Sequence, residues 1–430
     1  MNSDSNFFTL KEFEDFVEDL LLIMYDYYMQ HIYDLPNTNF DELFIEHIDN
    51  YVNEIIEMIH DGIFTNLEIK KQYRENLEPL INYAIEIFYG VCMPPRSFKD
   101  TIVKSQTEND KEKMTQQIEK LRSIPQPVQR TEEWYKLRNN LITASNAYKI
   151  FDTDASKNQL IYEKCFAYNQ KISIVTEETD DFKNINVNSP LHWGQKYEHI
   201  SVMLYEHFYT TKIEEFGCIT HDKFSFLGAS PDGINVDIHS DRYGRLLEIK
   251  NIVNREINGI PKTEYWVQMQ LQMEVCDMNE CDFLETRFKE YENEGEFLND
   301  GDFLSSGVEL NKGVIMHFSQ RNGIPKYIYK PLTMGKEDFD KWEEEMMDFY
   351  QSPEQNLIWI QNIYWKIEEL SCVLVPRNNL WFEVVIHDIK RFWKLIEHER
   401  ENGFEHRKGK KRIRVKEAEE VKCLIDFIKY

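Results

Sequence analysis

The stretch Phe226–Asn251, FLGASPDGINVDIHSDRYGRLLEIKN, decides how this 430-residue chain is read. Short apolar or alternating runs are broken by Ser-Pro-Asp-Gly and by further Asp, Ser and Gly residues, the signature of antiparallel strands joined by tight turns. Asp232 sits in the first of these turns, and sixteen residues later Glu248 begins the pair Glu248 and Lys250 inside the apolar run RLLEIK. Side chains alternate across a strand, so Glu248 and Lys250 share one face while Leu247 and Ile249 point into the core. A turn carboxylate and two ionisable groups on the next strand can therefore converge at one edge of a sheet.

That convergence has a chemical reading. Hard oxygen ligands hold one or two Mg²⁺ ions, and such ions activate water and neutralise the charge that develops in phosphodiester hydrolysis. Two carboxylates about 4 Å apart repel by about 4 kcal/mol at an effective dielectric near 20, so the pair calls for a cation or a proton. Lys250 would lessen the repulsion and orient or deprotonate the attacking water. A plainer reading stands beside it, because an acid two before a lysine recurs at Glu68/Lys70, Asp181/Lys183 and Glu420/Lys422. What distinguishes this instance is its apolar strand and the SPDG turn upstream.

Helices flank the strands. In WGQKYEHISVMLYEHF, Tyr197, Ile200, Leu204 and Phe208 make a buried stripe with Glu198 on its border, either reaching the sheet edge or simply solvated. In EYWVQMQLQMEVCD, Trp266, Met269, Met273 and Cys276 make the core stripe, and Tyr265, Gln268 and Gln272 line up on another face. A neutral polar row suits contact with a phosphate or a water, although glutamines on helices are ordinarily surface residues.

Outward from this centre, the strand-like runs KGVIMHFS and PKYIYKPL and the helical runs EDFDKWEEEMMDFY and HDIKRFWKLIEHERE give a mixed α/β (α+β) class, a central sheet flanked by helices. Residues 1–105 form an all-α N-terminal region, read from three- and four-residue apolar spacing in FEDFVEDLLLIMYDYY, FIEHIDNYVNEIIEMI and LEPLINYAIEIFYG. A polar linker at 106–128 ends at Pro125 and Pro127, the main domain covers 129–350, and a C-terminal extension covers 351–430. An Asn-rich loop is expected around 176–190.

Charge and composition exclude several classes. The net charge is -26, and residues 1–100 hold 20 Asp or Glu against 6 Lys or Arg, so a broad basic nucleic-acid surface is ruled out and any DNA contact must be local. Seven cysteines without CxxC or Cys/His spacing argue against zinc, iron-sulfur and disulfide frameworks. With no long apolar run and no signal-like N-terminus, the chain is expected to be soluble and intracellular, with no membrane partner. Arg407–Lys416 concentrates seven basic residues, suited to DNA backbone contact, to nuclear import, or to a solvated end balanced by EAEE.

Five segments, RTEEWYKLRNNLITAS, WGQKYE, GASPDG, LLEIK and YWVQMQ, fall in an order that resembles the phage lambda exonuclease and YqaJ-like viral recombinases, the viral alkaline exonucleases of the PD-(D/E)xK nuclease superfamily. The resemblance covers roughly residues 130 to 290. It implies a restriction-endonuclease-like core in which Glu198, Asp232 and Glu248 are acidic active-site residues. Asp232 and Glu248 would be the principal metal ligands, joined by Glu198 and the backbone carbonyl of Ile249, with Lys250 as catalytic lysine, Gln268 in the site and Tyr265 supporting it. Arg138 and Ser145 would hold a terminal 5′ phosphate, Ser230 would touch the DNA backbone, and Arg255 is a further candidate contact. Physically, Arg138 offers a bidentate donor and Ser145 lies where a helix begins and backbone N–H groups can meet an anion. The alternatives are a surface arginine and a simple N-cap.

The implied function is a Mg²⁺- or Mn²⁺-dependent exonuclease that degrades double-stranded DNA from 5′ ends and leaves 3′ single strands for viral recombination, repair or replication, in host cytoplasm or nucleus. Implied partners are duplex DNA ends, a single-strand annealing protein and further copies of the chain. The family's small phage members lack the acidic N-terminal region and the C-terminal extension, which leaves the oligomeric state open. Two rival readings remain, a structure-specific or single-strand endonuclease on the same fold, and a DNA- or protein-binding subunit that keeps the fold without activity.

Overall fold

The computed structural model describes residues 10–63, 67–102, 106–127, 131–169, 186–187 and 189–409. Most of the loop expected at 176–190, and the basic segment beyond residue 409, lie outside them.

Helices α1 (Leu10–Gln30), α2 (Phe40–Ile63) and α3 (Leu67–Ile87) open the chain. Their buried residues recur at four-residue steps, Leu20, Met24 and Tyr28 on α1 and Phe40, Phe44, Ile48, Val52 and Ile56 on α2, so each helix turns one apolar stripe inward. The acidic residues occupy the remaining faces. Arg96, fully buried, ties this region to the rest: it donates to the carbonyls of Pro36, at 3.0 Å, and of Pro261. The Trp266 indole N–H donates in turn to the Arg96 carbonyl at 2.8 Å.

The stretch expected as a linker is helix α4 (Glu108–Ser123), started by a reciprocal cap between Thr107 and Asp110. It buries Ile118 and Leu121 and donates from Gln117 to the Cys276 carbonyl at 2.7 Å. Its polar composition belongs to the outward faces. There follow α5 (Glu132–Asn139), β1 (Ile142–Thr143), α6 (Ala144–Ala147), α7 (Asp154–Asn169) and α8 (Pro190–Tyr209). Ser189 caps α8, accepting the His192 N–H, with Pro190 in the first turn.

The strands are β2 (Ile213–Glu214), β3 (Ile219–Thr220), β4 (Leu227–Ala229), β5 (Gly233–Asn235), β6 (Leu246–Asn251), β7 (Glu280–Glu290), β8 (Lys312–Ser319), β9 (Pro325–Tyr329) and β10 (Ile358–Pro376). Helix α9 (Thr263–Cys276) joins β6 to β7; α10 (Glu294–Asn299), α11 (Lys336–Tyr350) and α12 (Asn379–Asn402) complete the elements. A seven-stranded sheet has the order β2-β5-β6-β7-β10-β8-β9, and a three-stranded sheet the order β1-β4-β3. Only β6–β7 is parallel in the larger sheet, as a crossover through α9 requires. The mixed α/β sheet flanked by helices is thus the expected class, with the helical region at the N-terminus.

Two strands escaped the pattern. Along β7 the apolar alternation is interrupted by Asp282, Glu285 and Thr286, all buried, with Asp282 accepting from Arg242 and Arg245 at 2.8 and 3.2 Å. Strand β10 lies inside the sheet, antiparallel to β7 on one side and β8 on the other. Residues after 350 therefore complete the sheet rather than being appended to it, and the buried cluster runs unbroken from Leu20 to Phe404. No helix among the described residues is long and apolar enough to cross a membrane.

One detail of the sheet creates the site. The β5–β6 ladder is short, pairing Gly233 with Leu247 and Ile234 with Leu246, whereas β6–β7 continues to Asn251. From Glu248 onward, β6 has no strand on its β5 side among the described residues. The turn before β5 must be tight, because a Cβ on Gly233 would lie 2.2 Å from Ile213 Cγ2 of β2.

Candidate active site

Asp232 occupies that open edge. Its Oδ2 accepts the Ile249 N–H at 2.7 Å, and since the N–H and C=O of a strand residue leave on the same side, the Ile249 carbonyl shares the edge. Glu248 is fully buried and held from three directions. Gln268 Nε2 donates to its Oε1 at 2.8 Å, Gln272 Nε2 to its Oε2 at 2.7 Å, and the Lys250 ammonium also bonds Oε1. Gln272 reaches the Ser230 carbonyl as well, at 3.2 Å. The two glutamines, four apart on α9, thus point together at Glu248. Lys250 lies 4.8 Å from the centre of the Tyr265 ring, a cation-π contact.

Burial first, then the charges of Glu248 and Glu198, push the Asp232 carboxyl well above the usual carboxylate range, against the pull of Lys250 and the Ile249 N–H. Burial also depresses the Lys250 ammonium, yet Glu248 and Asp232 outweigh it and hold its pKa above the ordinary lysine value. The centre is a desolvated set of oxygen donors with negative charge to spare, which suits a hard divalent cation. Among the described residues no three or more His, Cys, Asp or Glu side chains gather around one point. The candidate ligands gathered at this edge are two carboxylates and a carbonyl, with Glu198 the further acidic residue expected from α8. Glu198 is exposed on α8, which packs on the Leu247 and Ile249 face through Tyr205, and its charge adds to those acting on Asp232.

A second pole, of opposite sign, adjoins this one. Arg138, in the last turn of α5, lays its guanidinium 4.5 Å from the Trp134 ring centre. Lys164 on α7, buried, donates to the Arg138 carbonyl at 2.7 Å. Arg400 on α12 donates to the carbonyls of Asn139 and Lys164 at 2.7 and 3.3 Å, over the Tyr168 ring at 4.3 Å. Among the described residues no carboxylate lies within 4.0 Å of any of the three cations. Burial, then repulsion from Arg138 and Arg400, brings the Lys164 ammonium down to about 7, against a smaller opposing pull from Glu163. The buried Cys218 thiol lies in the field of Arg138 and Lys164 and beside the Ser230 hydroxyl. Ser230 Oγ, Trp134 Nε1 and Arg400 Nε are buried without a hydrogen-bond partner. Ser230 stands two residues before Asp232, so the cation cluster borders the carboxylate centre.

The structure brings together Asp232, Glu248, Lys250, Ile249, Gln268 and Tyr265, and sets Ser230 between the poles. Ser145 lies in the first turn of α6, where a helix begins as expected, and is not its N-cap. Helix α6 has four residues and its N-cap is Thr143, whose N–H donates to Asn146 Oδ1 at 3.1 Å, leaving Ser145 exposed with its Oγ 3.3 Å from Thr143 Oγ1. Helix α6 still lies near the site, between α9 and the β4 strand that leads into Ser230. Arg255 is paired with the buried Glu285 and sits 5.6 Å from the Tyr265 ring centre. Arg407 bonds Glu399 and Asn158 as part of the fold. Sequence reasoning named Gln272 only as part of a row, and missed Lys164 and Arg400. The available signal was a lysine beside the apolar Leu160, Ile161 and Cys165 in a helix.

Residues 133–279 match the family model of the YqaJ-like viral recombinase domain. An uncharacterized protein of Acanthamoeba polyphaga mimivirus is 30% identical over 311 residues, 65% of this chain and 54% of its own length, so the chain spans about half of that curated relative. Among solved structures, an alkaline exonuclease from Laribacter hongkongensis is similar at 19% identity and a TM-score of 0.36, over 63% of this chain and 95% of that one. Its complex with dAMP aligns at 18% identity and a TM-score of 0.37, with the same coverage.

Proposed function

We propose that the YqaJ-like viral recombinase domain carried by this chain is a divalent-metal-dependent deoxyribonuclease that works from the ends of double-stranded DNA, 5′ to 3′, leaving 3′ single strands. The observation that carries this reading is the adjacency of a desolvated carboxylate centre to a cation cluster without carboxylates, with Ser230 between them. One pole suits the scissile phosphodiester and the other a terminal phosphate.

Asp232, Glu248 and the Ile249 carbonyl would hold Mg²⁺ or Mn²⁺, one or two ions, which when bound lower the pKa of water and offset charge on the phosphoryl oxygens. The chain's own groups do the positioning. Gln268 and Gln272 fix the Glu248 carboxylate by charge-assisted hydrogen bonds. Lys250, kept as an ammonium beside Glu248, balances charge and orients the attacking water. Tyr265 confines Lys250, and Glu198 adds negative charge toward Asp232. Arg138 offers a permanently charged fork to the 5′ phosphate, and Ser230 and Ser145 lie on the elements beside it. Because the chain carries -26, DNA is gripped at this end rather than over a broad face. A single-strand annealing protein is the natural recipient of the product strand, and further copies of the chain are compatible partners.

The test is nucleotide release from a 5′-phosphorylated duplex with Mg²⁺, comparing wild type, Asp232→Ala and Lys250→Ala. Equal activity in all three sinks the assignment. Cleavage of covalently closed circular DNA would favour the endonuclease alternative.

A further inference from the structure

The cation cluster holds more charge than Arg138 alone, and the additional charge comes from outside the motif segments. Lys164 and Arg400 sit on α7 and α12, outside the segment that carries Arg138, yet both converge on the last turn of α5. Their hydrogen bonds to the Arg138 and Asn139 carbonyls look like ordinary capping of a helix C-terminus. Capping accounts for those bonds and leaves the rest unexplained. Three cations share a partly dry region without a carboxylate within ion-pair distance among the described residues, an arrangement that desolvation and mutual repulsion both penalise. Three buried donors around them, on Ser230, Trp134 and Arg400, lack acceptors. An anion with several acceptor oxygens satisfies both deficits at once.

Charge identifies the anion's class. A terminal phosphomonoester carries about -1.5 to -2 at neutral pH and three strong acceptor oxygens, whereas an internal phosphodiester carries a single charge. Arg138 by itself matches a diester.

We infer that Lys164, steered by Arg400, is the specificity-determining cation that makes this pocket select a 5′ terminal phosphomonoester over a hydroxyl end or an internal phosphodiester. This rests on the nuclease reading and adds to it a specificity-determining residue. The groups that set the state of Lys164 are Arg138 from α5, Arg400 from α12, the Cys218 thiol before β3, and Glu163 on its own helix, itself bonded to Lys149 at 3.1 Å. With its pKa brought down to about 7, the free ammonium is half-charged near neutrality and loses its proton as pH rises. End selection should weaken in the same direction.

The experiment uses the full-length protein and two duplexes that differ only in a 5′ phosphate or 5′ hydroxyl, with kcat/KM measured from about pH 6 to 9, where the pH dependence of kcat/KM reports groups of the free enzyme. In wild type the preference for the phosphorylated end falls about tenfold across neutrality, carried by KM, as one charge is withdrawn from the pocket. Lys164→Gln slows phosphorylated ends far more than hydroxyl ends and flattens the profile. Lys164→Arg keeps the preference and removes the fall. The phosphate's own second ionisation is common to every variant and cancels between them. A Lys164→Gln protein that melts as wild type does but slows both ends alike, or retains the full preference, overturns the inference. Anisotropy binding of the same two duplexes in EDTA reads the preference without catalysis. If wild type binds the phosphorylated end preferentially and Lys164→Gln does not, while no DNA is cut with Mg²⁺ or Mn²⁺, the pocket stands and the nuclease reading fails.

Discussion

The two poles of the site are built from similar materials and differ in how each is balanced. At the carboxylate pole, Glu248 is met by Lys250, Gln268 and Gln272, and burial with neighbouring charge holds the Asp232 carboxyl well above its usual range. At the cation pole, Arg138, Lys164 and Arg400 meet carbonyls and aromatic faces and no carboxylate among the described residues. One pole is partly balanced from within and leaves room for a cation, and the other is left for an anion to complete. A strand and a helix fix the first, whereas the second is assembled from three helices, one of them, α12, distant in sequence.

The comparison breaks most sharply at Asp232. Asp232→Asn should lower nucleotide release about a thousandfold or more, roughly 4 kcal/mol of transition-state stabilisation. Its melting temperature should hold or rise, because the change removes a desolvated charge; a large fall in melting temperature would make Asp232 a structural residue instead. At the other pole, Arg138→Ala should slow phosphorylated ends about ten- to a hundredfold more than hydroxyl ends, an effect of about 1.4 to 2.7 kcal/mol. Equal slowing would make Arg138 a general DNA contact.

Between these lies Gln272→Leu, which removes a hydrogen bond to Glu248 and one to the Ser230 carbonyl. Activity should drop about tenfold and stability by about 2 kcal/mol, as expected for a buried bond to a charged group. Kinetics and chemical denaturation indistinguishable from wild type would remove Gln272 from the site. The smallest effect is on stability alone. Adding Mg²⁺ should raise the melting temperature by an amount equivalent to about 1 kcal/mol at five times its Kd, and Asp232→Asn should abolish the rise. A rise that survives in Asp232→Asn would move the ion elsewhere.

Legibility followed the same division. The carboxylate pole could be read because strand alternation and helical spacing are local rules, so Glu248 with Lys250, and Gln268 with Gln272, were fixed in relative position by their neighbours. Strand β7 could not, since its buried Asp282 and Glu285 look exposed until Arg242, Arg245 and Arg255 arrive from other segments. The same holds for β10, whose place inside the sheet depends on pairing with β7 and β8. Ser145 falls in the first turn of α6 as read, and only the N-cap alternative moves, two residues back to Thr143. Such boundary choices turn on local hydrogen bonds that several residue types can make.

Sequence by itself determined the mixed α/β class, the acidic helical N-terminus, the order of the motifs, and the placing of Glu248 and Lys250 on one face of a strand that follows the Asp232 turn, because each follows from periodicity and turn chemistry within a few tens of residues. Tertiary structure alone decided that β6 outruns β5 and opens the edge for Asp232, that residues after 350 supply an inner strand, and that Lys164 and Arg400 join Arg138. Those outcomes depend on which distant segments are buried against one another, and a group's charge and solvation are set by neighbours that its own stretch of chain does not contain.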